Sequence, residues 1–415
     1  LFPSVITYYS EPLVLERGKD MHLYDVDGRE YLDFFGGILT IIAGHCNDTV
    51  TEALVEQARK LQHASTLFPT IPQAELAEKL AGITPGRLQK SFFTNSGTEA
   101  NETAILMARA YTGRHEVIAL RHAYSGRSAL AMSLTAHSAW RLGGLPAPGI
   151  VHAHNAYCYR CPFEKTYPEC NLVCARDIEE LIRTATSGRL AAFIAEPIQG
   201  VGGFITPPRE YFSIVAEIIR RYGGVFISDE VQTGFGRTGG KWFGIEHWGV
   251  QPDMITAAKG MANGSPVGVT VATPEIADSL KGLTISTFGG NPVGARAAKA
   301  TIDLIESENL MENARVTGQY LRERLKELQE KHPIIGDVRG MGLMQGVELV
   351  KDRKTKVPAA EEMARLMDLT KENGLIIGKG GICGNVARIS PALTCSRRDV
   401  DDAILLLDRS FGRLQ

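Results

Sequence analysis

In 227-ISDEVQTGFGRTGGKWFG-244 a β-branched apolar run ends in two adjacent acids, and a second such run, 253-DMITAAKG-260, ends in a lone Lys259. In an open parallel sheet, ligands bind beyond the carboxyl ends of the strands, and Asp229 and Lys259 both fall there if the two runs are strands. A carboxylate so placed can pair with a cationic ligand atom. A partly desolvated lysine can lose its proton and attack a carbonyl. A third element is 92-FFTNSGTEANETAILMARAYTG-113, where an apolar strand ends at Asn95, Ser96 and Glu99 stand at capping-box spacing, and good helix formers follow. Backbone N–H groups at such a helix start favour an anion, so Ser96, Gly97 and Thr98 form a candidate phosphate cradle. Each element also has a bland reading: a solvated lysine, a surface salt bridge, an ordinary capped helix.

These groups need a scaffold, and the rest of the chain supplies one. Short apolar runs at 91-SFFTN-95, 116-EVIAL-120, 191-AAFIA-195, 224-GVFIS-228, 253-DMITAA-258 and 267-VGVTVAT-273 alternate with longer amphipathic segments. Continuous β-branched runs between polar turns predict strands buried on both faces, hence an α/β domain around a mostly parallel sheet. The stretch 22-HLYDVDGREYLDF-34 predicts a hairpin turning at Asp27-Gly28. Leu321, Leu325 and Leu328 predict a helix stopped by Pro333, with strands at 343-LMQGVELV-350 and 386-VARIS-390. The expected organisation is a large domain over 51–294 and a small α+β domain built from 1–50 and 295–415.

Length and charge narrow the function classes. A chain of 415 residues can bury a large core, and 45 Lys plus Arg against 47 Asp plus Glu, with no basic block, gives no reason to expect nucleic acid as partner. The first eighteen residues lack the charged start and continuous apolar core of a secretion signal, and the run 34-FFGGILTIIAG-44 has about half the length of a membrane span. A soluble cytoplasmic protein with small-molecule partners is expected. Seven cysteines do not make a disulfide framework, but Cys158, Cys161, Cys170 and Cys174, with His152 and His154 upstream, are spaced so that they can hold a structural zinc. The alternative is a surface excursion with reduced thiols or a local disulfide.

A phosphate cradle, a strand-end acid and a strand-end amine in one α/β domain match the phosphate, the ring nitrogen and the aldehyde of pyridoxal phosphate. Here the chain resembles the fold type I pyridoxal-phosphate enzymes, specifically the class III (ω-type) aminotransferases. The resemblance is carried by 95-NSGTEAN-101, 196-EPIQG-200, 229-DEVQTGFGRTG-239, 258-AKG-260, 287-TFGGNP-292 and 339-RGMGL-343, in that order. Within the class, 42-IAGHCN-47, 196-EPIQGVGG-203 and 157-YCYRCPFEKTYPEC-170 look most like the alanine:glyoxylate aminotransferase 2 branch and its amine:pyruvate relatives.

The resemblance implies that Lys259 binds the cofactor aldehyde and later moves the proton, while Asp229 keeps the ring nitrogen protonated. It places Val231 and Tyr124 on the two ring faces, Gln232 on the ring hydroxyl with Glu196 in support, and Gly97 and Thr98 on the phosphate. Thr287 would reach that phosphate from another subunit, so a homodimer with shared sites is implied, with tetramers open. Arg388 matches the arginine that takes a substrate carboxylate. Relatives acting on ornithine or γ-aminobutyrate carry a glutamate after EPIQG that holds this arginine aside; here the position is Val201. The reaction implied is amino-group transfer from an amino acid or primary amine to a keto acid, pyruvate or glyoxylate. An aminomutase or a decarboxylating relative would use the same residues, and a non-catalytic cofactor-binding regulator would need a DNA-binding module. Trp140, Trp242 and Trp248 are expected to be packing, and Phe34, Phe35, Leu39, Leu67 and Phe68 core.

Overall fold

The computed structural model describes residues 5, 7–143 and 146–414. Seven strands form the central sheet, in the spatial order Lys90–Thr94, Gly268–Ala272, Met254–Ala257, Val225–Asp229, Leu190–Ala195, Glu116–Leu120, Ile150–Ala153. The last five are mutually parallel, and Gly268–Ala272 runs antiparallel to both neighbours. The fold is α/β with a sheet dominated by parallel strands.

The continuous apolar runs produce strands buried at every position, as in Leu190–Ala195, Val225–Asp229 and Met254–Ala257. Alternate side chains then serve opposite cores. Phe193, Phe226 and Ile255 join the core that includes Ile178 and Phe212 of helices Val173–Ala185 and Tyr211–Arg221. Ile194, Ile227 and Met254 join a second core with Ile105 and Met107 of helix Gly97–Thr112. From Glu116–Leu120 the chain first steps outward to Ile150–Ala153, then returns to place Leu190–Ala195 on the other side. That reversal is the topological switch point, the place where such sheets open a crevice.

The sequence runs locate six of these seven strands. The seventh, Ile150–Ala153, is only four residues long and carries a histidine, so no apolar run announces it. It is an edge strand, and the His152 ring lies 3.2 Å from the Leu134 carbonyl oxygen.

The predicted hairpin pairs His22–Asp25 with Glu30–Asp33, and Gly28 takes the positive φ of the turn, 82°. Strand Leu375–Ile376 adds to this small sheet, parallel to Glu30–Asp33, so residues from the two ends of the chain share one sheet. A third sheet contains Ile335–Met341, Met344–Leu349, Val386–Ile389 and Gly378–Gly380. Helices Asp48–Lys60 and Pro292–Ser307 span the two expected domain boundaries.

The predicted helix is Leu310–Lys331, and it buries Leu321, Leu325 and Leu328 against the strand Ile335–Met341. The helix also lies close against the turn that follows the strand, where a Cβ added at Gly318 would come within 2.2 Å of the Gly342 carbonyl carbon. Leu67 and Phe68 depart from expectation: each is 66 % exposed rather than core. Their stretch offers no alternation or periodicity to say which face is covered, and being apolar does not by itself bury a side chain.

Replacing Gly318 by alanine forces the helix away from that backbone and is expected to lower stability by about 1–3 kcal/mol. The exposed neighbour Gln319→Ala should change it by less than about 0.5 kcal/mol. Denaturant unfolding of the two variants checks the difference.

Candidate active site

Five strands deliver residues to one edge of the sheet. Beyond their carboxyl ends stand Ser96 after Lys90–Thr94, Tyr124 after Glu116–Leu120, Glu196 after Leu190–Ala195, Asp229 at the end of Val225–Asp229, and Lys259 after Met254–Ala257. They line one cavity of about 320 Å³ together with Gly97, Thr98, Val231 and Gln232. Nine of the eleven predicted cofactor and substrate residues therefore converge, and Arg388 and Thr287 lie outside this lining.

Asp229 is the centre of the arrangement. It is buried, and its Oδ2 accepts from Asn101 Nδ2 at 2.8 Å while Oδ1 accepts from the Val231 backbone N–H at 3.1 Å. Asn101 is itself fixed, since its Oδ1 accepts from Thr256 Oγ1 at 2.6 Å and its Nδ2 donates to the Ser125 carbonyl at 3.0 Å. Among the described residues Asp229 has no ion-pair partner. Desolvation raises its pKa, against the two hydrogen bonds and the charge of Lys259. Glu196 nearby is pushed up to about 8, first by burial and then by the charge of Asp229. Its oxygens accept from the Tyr124 and Gly200 backbone N–H groups, at 3.1 and 2.8 Å, so it shapes the wall that carries Tyr124.

Glu230, the second acid of the pair, turns away from the cavity. It accepts from the Gly244 and Ile245 backbone N–H groups, both at 2.8 Å, and from Ser228 Oγ at 3.0 Å. Its role is to anchor the following glycine-rich loop.

Lys259 adopts a left-handed backbone, φ 42°, at the start of a short 3₁₀ turn, a strained conformation that non-glycine residues rarely keep without cause. The turn is tied down by Asn263, whose Oδ1 accepts from the Ile42 and Ala43 N–H groups at 2.8 and 2.9 Å. Burial pulls the lysine pKa down to about 8, opposed by Asp229 and Glu196 and assisted by the charge of Arg388. Arg388 is thus close enough to act electrically on Lys259 although it is outside the cavity lining.

The guanidinium of Arg388 is buried without any carboxylate partner among the described residues. Its Nη2 donates to Tyr8 Oη at 3.3 Å, it lies over the Phe35 ring at 4.9 Å, and its Nε and Nη1 have no partner. Val201 supplies no acid: its carbonyl oxygen and Arg388 Cδ both come within 3.0 Å of a Cβ built on Gly380.

The residues fit pyridoxal phosphate on three independent grounds. Helix Gly97–Thr112 begins at the cavity with Ser96 capping Glu99 N–H at 3.3 Å, which leaves the Gly97 and Thr98 amides for an anion. The cradle admits no extra side chain, since a Cβ on Gly97 would lie 2.8 Å from Val231 Cγ2, and one on Gly126 would lie 2.4 Å from Thr98 Oγ1. Asp229 offers a buried carboxylate lacking a counter-ion, and Gln232 Oε1 is buried without a donor. A cationic ring nitrogen and a hydroxyl are the groups these two lack.

The class-III aminotransferase family profile matches residues 7–410. The chain belongs to the class-III aminotransferases. An Arabidopsis thaliana protein named alanine–glyoxylate aminotransferase 2 homolog 2, mitochondrial, is 45 % identical over all of this chain and 86 % of its own length. A leucine/methionine racemase of Thermococcus litoralis is 39 % identical over all of this chain and 94 % of its own. The structure of an amine transaminase from an uncultivated Pseudomonas species, in its PLP-bound form, superposes with a TM-score of 0.93 at 32 % identity, over 100 % and 99 % of the two chains. This class-III aminotransferase is a pyridoxal-phosphate-dependent transaminase of the fold type I architecture.

Some features of the site could not be foreseen from residue types. Asn101 was visible inside 95-NSGTEAN-101, one helical turn past Gly97, but its partner Asp229 lies 128 residues away. Trp140, expected to be packing, sets its ring edge against Tyr124 at 5.4 Å between centroids and lines an apolar pocket with Tyr8, Tyr9 and Phe35. Of the two readings of the cysteine excursion, the geometry favours reduced thiols: among the described residues no group of three or more His, Cys, Asp or Glu side chains is placed to hold a metal, and Cys158, Cys161, Cys170 and Cys174 are free thiols. Burial, with the neighbouring thiols, pushes Cys158 up to about 11 and Cys174 up to about 12.

A lysine must be neutral to attack an aldehyde, and the neutral fraction grows as pH rises through the pKa. Capture of added pyridoxal phosphate by the cofactor-free aminotransferase should therefore reach half its maximal rate near pH 8, the depressed value, rather than near 10.5. Stopped-flow absorbance between pH 6 and 10.5 measures this.

Proposed function

We propose that this aminotransferase moves the amino group of an α-amino carboxylate, alanine in the simplest case, to pyruvate or glyoxylate as acceptor. The single observation that supports this choice is Arg388: a buried guanidinium with two unpartnered nitrogens and no acid to hold it aside, close enough to Lys259 to depress it electrically. Guanidinium binds carboxylate through paired N–H donors, so the carboxylate of the amino acid or the keto acid is the natural complement.

Once bound, pyridoxal phosphate supplies a conjugated ring that accepts the electron pair of a broken Cα–H bond. The chain's residues do the rest. Asp229, held by Asn101 and Val231, would keep a proton on the ring nitrogen. Val231 and Tyr124 would hold the ring between them, and the unpartnered Gln232 Oε1 would accept from its hydroxyl. Ser96, Gly97 and Thr98 fix the phosphate through the helix start. Lys259 Nζ would take the proton from substrate Cα as a neutral base and, once charged, would deliver it as an acid to the carbon that was the cofactor's aldehyde carbon. Its pKa near 8 suits both halves of that task.

A homodimer with shared sites belongs to the same proposal. Thr287 does not line its own chain's cavity but a neighbouring cleft of about 640 Å³ that shares Asn95 with it. In its lining Leu106, Ile285 and Phe288 are exposed, and Phe288 packs on His63 at 5.3 Å between centroids. An apolar patch of this kind suits a second copy, whose Thr287 would reach the phosphate cradle. No helix of the described residues is long and apolar enough to cross a membrane. A cytoplasmic placement stands as a proposal beside the mitochondrial name of the Arabidopsis relative.

A second reading is supported by the Thermococcus relative, named a racemase. Inversion at Cα needs the same sink and base, with the proton returned to the opposite face. L-Alanine added to the cofactor-loaded protein separates the two. Release of pyruvate with conversion of the cofactor to its amine form supports transfer, and D-alanine without pyruvate favours inversion. In either case Lys259→Ala should lose about 10²–10⁴ in rate. Arg388→Ala should raise KM for alanine about tenfold or more and leave benzylamine, which has no carboxylate, unaffected.

A further inference from the structure

A second concave site lies away from the cofactor cavity. It is a cleft of about 1080 Å³ between the cysteine-bearing excursion, strand Ile335–Met341, helix Leu310–Lys331 and the turn at 352–356. Cations reach it from separate parts of the chain: Lys165 from the excursion, Arg322 from the helix, Lys354 and Lys356 from the turn. None of these four has a carboxylate within ion-pair distance among the described residues.

The acids of this region are already engaged. Arg339, also in the lining, pairs with Asp337 at 2.8 Å and Glu348 at 2.7 Å, and Arg160 pairs with Glu348. Asp352 gives its Oδ1 to the Lys354 and Thr355 N–H groups at 3.1 and 2.8 Å and to Thr355 Oγ1 at 2.9 Å, which folds the turn that presents the lysines. Glu164 is the remaining lining acid. A chain whose total charge is −2 thus concentrates an excess of positive charge in one concavity. Protein surfaces normally intersperse the two signs, and a cleft with low-dielectric walls focuses the field of whatever charges line it.

The cleft is also fixed in shape. Lys356 Nζ donates to the Tyr159 carbonyl at 2.8 Å and lies 4.7 Å above the Tyr159 ring, so the turn is stapled to the excursion. The buried ion pairs of Arg339 and Arg160 with Glu348 hold the same excursion to the C-terminal sheet. A surface loop bearing stray lysines would have neither tie.

We propose that this cleft binds a small polyanion carrying two or more phosphate groups, at a site separate from the cofactor cradle. Its phosphates would bridge Lys165 of the excursion, Arg322 of the helix and Lys354 and Lys356 of the turn, relieving repulsion that the protein leaves uncompensated.

The test uses the aminotransferase loaded with pyridoxal phosphate, so that the cradle at Ser96–Thr98 is filled, and titrates it calorimetrically with inorganic tripolyphosphate. One saturable site per chain is expected. The triple reversal Lys165→Glu, Arg322→Glu, Lys354→Glu, all at exposed positions, should weaken it at least tenfold with an unchanged unfolding temperature. Lys326→Glu, exposed on the same helix outside the cleft, should leave it intact. Absence of saturable binding, or equal affinity in wild type and triple variant, overturns the proposal. So does preference for citrate, which would make the ligand a polycarboxylate. Binding of polyglutamate or an RNA oligonucleotide, lost in the triple variant, without binding of tripolyphosphate would assign the cleft to a macromolecule and overturn it as well.

Discussion

The structure turns on a carboxylate kept in the protein interior without a counter-ion. Leaving Asp229 so placed is costly, because burial disfavours its charge and Lys259 acts on it only from beyond ion-pair distance. The surrounding chain is arranged to bear that cost. Asn101 and the Val231 amide hold the two oxygens, Thr256 and Ser125 hold Asn101, and the parallel strands fix all of them relative to one another. The site is thus incomplete as protein alone. A cationic heteroaromatic nitrogen supplies the missing half of the pair, and the same preparation that makes the empty arrangement unfavourable makes it selective.

Lysine and carboxylates here are tuned against one another. Asp229 and Glu196 draw Lys259 toward its charged form, while burial and Arg388 drive it toward the neutral one, and the second influence prevails. The adjacent acids at 229 and 230 show how one strand end serves two purposes. Successive residues point to opposite sides, so one carboxylate faces the cavity and the next is spent on backbone amides of the loop 244–245.

Much of this was readable in the sequence because the chemistry of burial is local. Runs such as 191-AAFIA-195 can only be strands covered on both faces, and the residues following them inherit a place at the sheet's carboxyl edge. Lys259, Asp229 and the Ser96–Thr98 turn were legible as candidates for that reason, and the resemblance to the class III aminotransferases supplied their roles. Asn101 was hidden by its distance from Asp229 in the chain, Trp140 by the generic habits of tryptophan, and strand Ile150–Ala153 by its shortness. The thiol spacing left zinc and reduced thiols both open, because spacing says nothing of where Cβ vectors point, and among the described residues no three His, Cys, Asp or Glu side chains are placed to hold a metal. Leu67 and Phe68 read as core because apolar character alone does not say which side chains the fold covers.

All of the chemistry gathers at one edge of the sheet, and the opposite edge turns the chain back through short connections such as those around Gly113, Gly188, Gly223 and Gly249, each at positive φ. This polarity divides the molecule into a half that must be exact and a half that need only be compact. Loops at the carboxyl edge can be exchanged to alter what is accepted while the turns beneath preserve the scaffold. Such a separation lets one architecture diversify in substrate without risking its own folding.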